Sequence, residues 1–443
     1  MIGIVLLILA LYTYAQRRIR HISIVLYLGF VLGMLGGFGF FPDEVTGVKN
    51  VDLALVYTLF VGFANKWRVS RCLANTFTYK MICAFLLFIL ISFFYSWLHY
   101  HISFISSLRG VRSYLLILSI FVFQYFTKEE MQKSLRVLFY ITFISSILFI
   151  LQIIVRHPLM PYPWDYSFDE ATGLIRLYNS PPLLYFFSLA SLVENNLIPK
   201  NLIWWARGVF LLALLCTLGR TQIGIGISGL LILLLLNGKV GKVFQFAVLF
   251  IIILLPFSDM IEQRFSGGGT KEDLARVTSK DYIDYKGGDG TFIYRIAWMY
   301  ERMEYMKGRP WDENLFGLGL ILEGDPQVYK MYDFIIGLKN SDGYTSQLST
   351  PDIAYGEILT RLGYLGGILY IGIILSMMSF FFKCRNDSLL CKLSFCLLLM
   401  GMFMSFSGST MAQPKNLSIY FLLLVLVLKY KYGSQSISRN SDI

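Results

Sequence analysis

Residues 257–290 read FSDMIEQRFSGGGTKEDLARVTSKDYIDYKGGDG, and the polar character runs on through YRIAWMYERMEYMKGRP at 294–310 to SDGYTSQLSTPD at 341–352. No other stretch of the chain is polar for so long. Residues 243–255 before it are apolar except for Gln245, and another greasy run follows from Ile358 to Phe382. A segment of this length between two membrane spans must fold on one side of the bilayer. The sequence therefore predicts a partly helical, extracytoplasmic lid over a site at the membrane surface.

Composition supports the membrane setting. The 443 residues are 56% hydrophobic and only 15% charged. Such a chain cannot cover itself with polar side chains in water. The formal charge of +11 invites a nucleic-acid reading, but its distribution argues against one. Residues 257–353 hold 11 Lys/Arg against 16 Asp/Glu, a net −5. The basic excess sits instead in short loops between apolar runs, as the positive-inside rule requires and a phosphate-tracking groove does not. The six cysteines (Cys72, Cys83, Cys216, Cys384, Cys391 and Cys396) avoid the long loop and show neither a disulfide framework nor zinc spacing. The N-terminal MIGIVLLILALYTYA lacks a positive leader region and reads as a retained first span.

Outward from the polar segment, apolar runs of spanning length fall near 2–16, 22–41, 52–65, 80–99, 111–126, 135–155, 181–193, 202–218, 221–237, 243–256, 354–380, 391–407 and 417–430. The predicted fold class is an all-α polytopic membrane protein with about 12–13 transmembrane helices. Its expected parts are a bundle over 1–256, a loop subdomain over 257–353, completion of the bundle over 354–430 and a cytoplasmic tail over 431–443. Every second loop is basic: Arg17, Arg18 and Arg20; Lys66, Arg68 and Arg71; Lys128 and Lys133; Lys200; Lys239 and Lys242; Lys383, Arg385 and Lys392. Those loops are expected in the cytoplasm and the long loop outside.

Few residues in this frame can carry chemistry. Arg220 sits in the tight hairpin CTLGRTQIGIG at 216–226. It is either an interface anchor or a guanidinium that holds phosphate beside the free N–H groups opening helix 221–237. Arg295 and Arg302 lie on an amphipathic helix that Gly308 and Pro310 end. They are either functional or part of a salt-bridged surface helix with Glu301 and Glu304. LFGLGLILEG at 315–324 has two glycines, Gly317 and Gly319, that point to close backbone approach; as a phosphate loop it is weak. STPDIAYGEILTRLGYLGG at 349–367 marks the return to the membrane. Pro351 suits a first helical turn, and Asp352 is either a helix-start carboxylate or a base at the water boundary. Glu357 and Arg361, four apart, suit an ion pair. Tyr162, Trp164, Tyr178, Trp298, Tyr344 and Tyr355 are either sugar-stacking residues or interface and core.

Four of these elements occur in one order. They are the hairpin Arg220, the Arg295-x-x-Trp298 helix, Pro310 with Gly317-x-Gly319, and Asp352-x-x-Tyr355 followed by Gly363-x-x-Gly366. Together with the many-span layout they resemble the bacterial O-antigen polymerase and O-antigen ligase superfamily. The resemblance implies a metal- and cofactor-independent glycosyltransferase in the bacterial cytoplasmic membrane. The donor would be an oligosaccharide on undecaprenyl diphosphate, with a flippase and a chain-length regulator as partners and no nucleic acid. Arg220 and Arg295 would hold the diphosphate, and Asp352 would take the acceptor proton. Trp298, Arg302, Tyr355 and Glu357 would contact substrate. The ligases carry His-Asn where this chain has Asp352-Ile353, which favours a polymerase for O-antigen or capsule. The rival readings are a ligase and a lipid-linked glycan transporter.

Overall fold

The computed structural model describes residues 2–33, 49–157, 159, 166–169, 174–177, 180–193, 195–238, 241, 291–338, 343–350 and 352–432. The expected span 243–256, the loop residues 257–290, Pro351, Tyr162, Trp164, Tyr178 and the tail beyond 432 lie outside the described residues. Within them the chain is helical apart from one antiparallel hairpin, Tyr166–Asp169 with Leu174–Leu177.

The long apolar runs become helices α1 (Ile2–Ala15), α2 (Arg20–Leu32), α3 (Asn50–Ala64) and α4 (Phe77–Leu98). Next come α5 (Phe104–Val111), a 3-10 turn at Tyr114–Leu118, α6 (Ser119–Phe123) and α7 (Lys128–Val155). Then follow α8 (Leu184–Ser191), α9 (Ile203–Leu215) and α10 (Arg220–Leu236). The polar segment supplies α11 (Thr291–Lys307) and α12 (Trp311–Phe316), and the return to the apolar bundle supplies α13 (Ala354–Lys383), α14 (Leu389–Met404) and α15 (Ser418–Tyr432). Among the described residues, four helical stretches are long and apolar enough to cross a membrane: Phe77–Leu98, Phe104–Phe123, Lys128–Val155 and Ala354–Lys383.

Several boundaries differ from expectation for physical reasons. α7 begins at Lys128 rather than 135, because Thr127 and Glu130 form a reciprocal capping box ahead of the apolar run. The run expected at 111–126 starts instead at Phe104, where Ser103 caps the helix, and it changes helical type after Val111. That change falls where Gly110 meets the Leu320 backbone and Arg112 meets Asp52. The run at 181–193 yields only the eight-residue α8.

Large apolar side chains remain exposed along the helices, among them Leu87, Leu90 and Phe94 on α4, Ile144 and Ile154 on α7, and Ile368 on α13. An apolar periphery around an apolar core is what a lipid-embedded bundle requires.

Side-chain contacts define two ends of the bundle. At one end Ser134 donates to the His21 carbonyl, Gln124 to the Arg68 carbonyl, Lys392 to Asn237, and Lys431 pairs with Asp387. At the other end Arg112 pairs with Asp52, His99 with Glu313, and the Ala354 N–H donates to the carbonyls of Ser405 and Gly408. The described part of the polar segment sits entirely at this second end. It has its own apolar cluster: Ile321, Val328, Tyr332, Phe334 and Leu348, with Ile102 and Leu318.

Glycine fixes how that segment docks. Gly317 (φ +72) and Gly363 (φ +66, inside α13) lie backbone against backbone, and a Cβ on Gly317 would come within 2.3 Å of the Gly363 nitrogen. Beside them the Leu318 N–H donates to the Thr360 carbonyl at 2.7 Å, and the Leu320 N–H to Ser96 at 2.9 Å. Phe316 then stacks on both Phe88 and Tyr95 of α4, with centroids 5.8 and 4.3 Å away. The two-glycine turn is thus a close-approach device.

Gly317→Ala should lower stability by about 1–3 kcal/mol from its backbone conformation alone, before the clash with α13 adds to that cost. Gly324→Ala, with open space around its position, should leave the melting temperature of the detergent-solubilised protein unchanged. Equal melting of the two variants would contradict this account of docking.

Candidate active site

α11 packs on the start of α13 at Trp298. The Trp298 indole is fully buried and lies against Gly356, where a Cβ would come within 2.9 Å of the ring. Arg295 is one turn before Trp298 on α11, and Asp352 lies four residues before Gly356, just ahead of α13. With the indole seated on the glycine, the guanidinium lies beside the carboxylate. Arg295 Nη2 lies 3.4 Å from Asp352 Oδ1 and 3.4 Å from the Ser407 carbonyl. Arg295 Nε is buried with no hydrogen-bond partner among the described residues. The two side chains are 19% and 28% exposed.

Asp352 does not cap α13. The helix starts at Ala354 after the N-cap Ile353, with no side-chain cap bond. The carboxylate precedes the helix and faces Arg295 instead, while its own N–H donates to Thr350 Oγ1 at 3.2 Å. Tyr355, on the first turn, donates to the Met402 carbonyl at 2.9 Å and lies against Phe406, with ring centroids 4.8 Å apart. The 402–408 stretch, which sequence reading left unremarked, thus forms one wall of the site. It has no signal of its own beyond its place at the end of an apolar run.

Arg220 opens α10, with Gly219 as N-cap, and its side chain lies outside what the structure describes. Its end of the bundle follows from backbone neighbours. α10 runs antiparallel to α14: Lys392, near the start of α14, bonds Asn237 just past the end of α10, and Gly229 lies on Met400. The start of α10 is therefore at the same end as the Ser405–Ser407 stretch that Arg295 touches.

Arg302, read from the sequence as a substrate contact, is fully buried. Its Nη1 pairs with Glu301 and donates to the Ile336 carbonyl, both at 2.7 Å, and Nη2 donates to the carbonyls of Ser346 and Gln347 at 3.2 Å. Trp298 and Phe334 cover its faces at 4.1 and 4.4 Å. Desolvation pulls its pKa down to about 10, partly opposed by Glu301. With its donors occupied, Arg302 holds the polar segment together. Trp298 is equally enclosed and acts by positioning Arg295. Glu357 is buried and pairs with Arg361, their nearest atoms 3.7 Å apart, as the four-residue spacing predicts. Both line a second cavity to which Asp352 does not contribute.

The two arginines on α11 should separate by experiment. Arg302→Met, which leaves Glu301 and several carbonyls unpaired, should cost about 3–5 kcal/mol and expose residues 330–350 to limited proteolysis. Arg295→Ala removes only two contacts of 3.4 Å and should destabilise the protein less than Arg302→Met does. Protease resistance in Arg302→Met equal to that of the unmutated protein would contradict the structural role.

A comparison of the chain with protein-family models and with curated proteins finds no match.

Proposed function

We propose that this protein is a polysaccharide repeat-unit polymerase. It would transfer a glycan from undecaprenyl diphosphate to an acceptor sugar hydroxyl on the extracytoplasmic side of a bacterial cytoplasmic membrane. The observation that carries the reading is the Arg295–Asp352 pair: a guanidinium held at 3.4 Å contacts, with a buried unpartnered Nε, beside a carboxylate free of helix capping.

Charge supports a side of the membrane. The end of the bundle opposite the site gathers Arg20, Arg68, Lys128, Lys133, Lys392, Lys429 and Lys431. By the positive-inside rule that end faces the cytoplasm, so the site faces out. The shorter apolar helices would then complete about 12–13 spans.

In the reaction, the acceptor oxygen attacks the anomeric carbon while the bond from that carbon to the diphosphate oxygen breaks. The departing diphosphate takes the electron pair. Arg295 meets the developing charge, and Arg220, at the start of α10 on the same end, is the second cation. Preorganised donors aimed at developing charge are commonly the largest contribution to such catalysis, each worth about 10²–10³ in rate. Asp352 accepts the hydroxyl proton. In the resting protein Arg295 is shared between Asp352 and the Ser407 carbonyl. An arriving diphosphate competes for that guanidinium and leaves the carboxylate available to the acceptor, which couples donor binding to base function.

The test uses cells that make the polymer. Arg295→Ala and Asp352→Asn should abolish long chains, with rate losses of about 10²–10⁴ for loss of the base, while single repeats still reach the final acceptor. Full-length polymer from both variants would defeat the proposal. Polymer stranded on the lipid carrier would identify a ligase instead.

A further inference from the structure

A cavity of about 590 Å³ is lined by Ser349, Glu357 and Arg361 but not by Asp352. That volume lies within the roughly 300–1,000 Å³ range of small-molecule sites. Its other walls come from the start of α3, the end of α5, the 322–326 turn and Gln413 between α14 and α15.

The lining is charged, and its charges are unevenly committed. Arg112 Nη1 contacts both Asp52 oxygens at 2.8 Å, so that pair is closed. Glu323 accepts from the N–H groups of Gln347, Leu348 and Ser349 at 2.6–2.9 Å. Asp325 accepts from the Ser106 hydroxyl and from the Gln327 N–H. Arg361 faces Glu357 at 3.7 Å, so that pair is closed as well. Two cations are left over: Lys49 and Arg109 are exposed and make no ion pair among the described residues. They supply the uncommitted donors of a lining that holds four cations and four carboxylates.

Among the described lining residues only Leu322 and Pro326 bring apolar side chains, which is little wall for a lipid tail. A ligand that fits is polar, presents an oxyanion to Lys49 and Arg109, and has hydroxyls for the carboxylates. We infer that this cavity is a binding site for an acidic saccharide, whose carboxylate or phosphate lies against those two cations. The inference depends on the glycosyl-transfer reading only in making that saccharide the acceptor chain. Guanidiniums suit the oxyanion because their fork of donors matches two oxygens at once. The cavity shares the α13 start with the Arg295–Asp352 site, so an acceptor held here is close in sequence to the base.

Binding can be measured without turnover, on the purified full chain in detergent. Isothermal titration with trigalacturonate, maltotriose and inorganic phosphate separates the possibilities. Trigalacturonate should bind saturably at millimolar concentration or below, at least about tenfold tighter than either of the others. The double variant Lys49→Ala/Arg109→Ala changes two exposed side chains and should fold normally; it should weaken that binding about tenfold or more. Arg295→Ala should not alter it. No saturable trigalacturonate binding, equal binding of maltotriose, or an unchanged double variant overturns the site. Phosphate binding as tightly as trigalacturonate overturns its saccharide character. If cavity variants lose binding while Arg295→Ala still makes polymer, the catalytic reading fails and this one stands.

Discussion

The indole of Trp298 resting on Gly356 is the contact on which the candidate site depends. Trp298 lies one turn beyond Arg295 on α11 and Gly356 four residues beyond Asp352, so this close approach holds a cation beside an anion 57 residues away in sequence. Only glycine leaves room for the ring at that depth. Contacts within the described part of the polar segment hold α11 in place. Arg302 clamps Ile336, Ser346 and Gln347, Glu301 accepts from the Ile335 and Ile336 N–H groups, and Glu323 gathers the N–H groups of 347–349 just ahead of Asp352.

Two arginines seven residues apart on one helix illustrate how surroundings assign roles. Arg302 has acceptors at 2.7–3.2 Å and aromatic rings on its faces, which is how a buried cation offsets its lost hydration. Arg295 has two contacts at 3.4 Å and one buried donor without a partner. A guanidinium left so incompletely matched is poor at stabilising a fold and well suited to meeting an anion. Sequence periodicity placed both on nearly one face and could not separate them.

What was legible in the chain was whatever depends on local pattern. Apolar run length gave most helices, the Gly308 and Pro310 signals ended α11 near where it stops, and four-residue spacing gave the Glu357–Arg361 pair. Gly317 and Gly319 announced close approach, but not that Gly363 would be the partner, since that meeting joins segments 46 residues apart with no shared motif. The charged cavity was invisible for the same reason. Lys49 and Arg109 are scattered single residues, each unremarkable until the helices beside them assemble.

The break at Gly363 bears on how far the polar segment can move. At that interrupted turn of α13 the Thr360 carbonyl takes its 2.7 Å hydrogen bond from Leu318, a residue of the polar segment. Pulling the segment away would strand a carbonyl at the edge of an apolar bundle, a loss of several kcal/mol where water is scarce. Residues 311–320 therefore behave as a fixed buttress of α13. Any opening over the Arg295–Asp352 pair must then come from somewhere else in the protein.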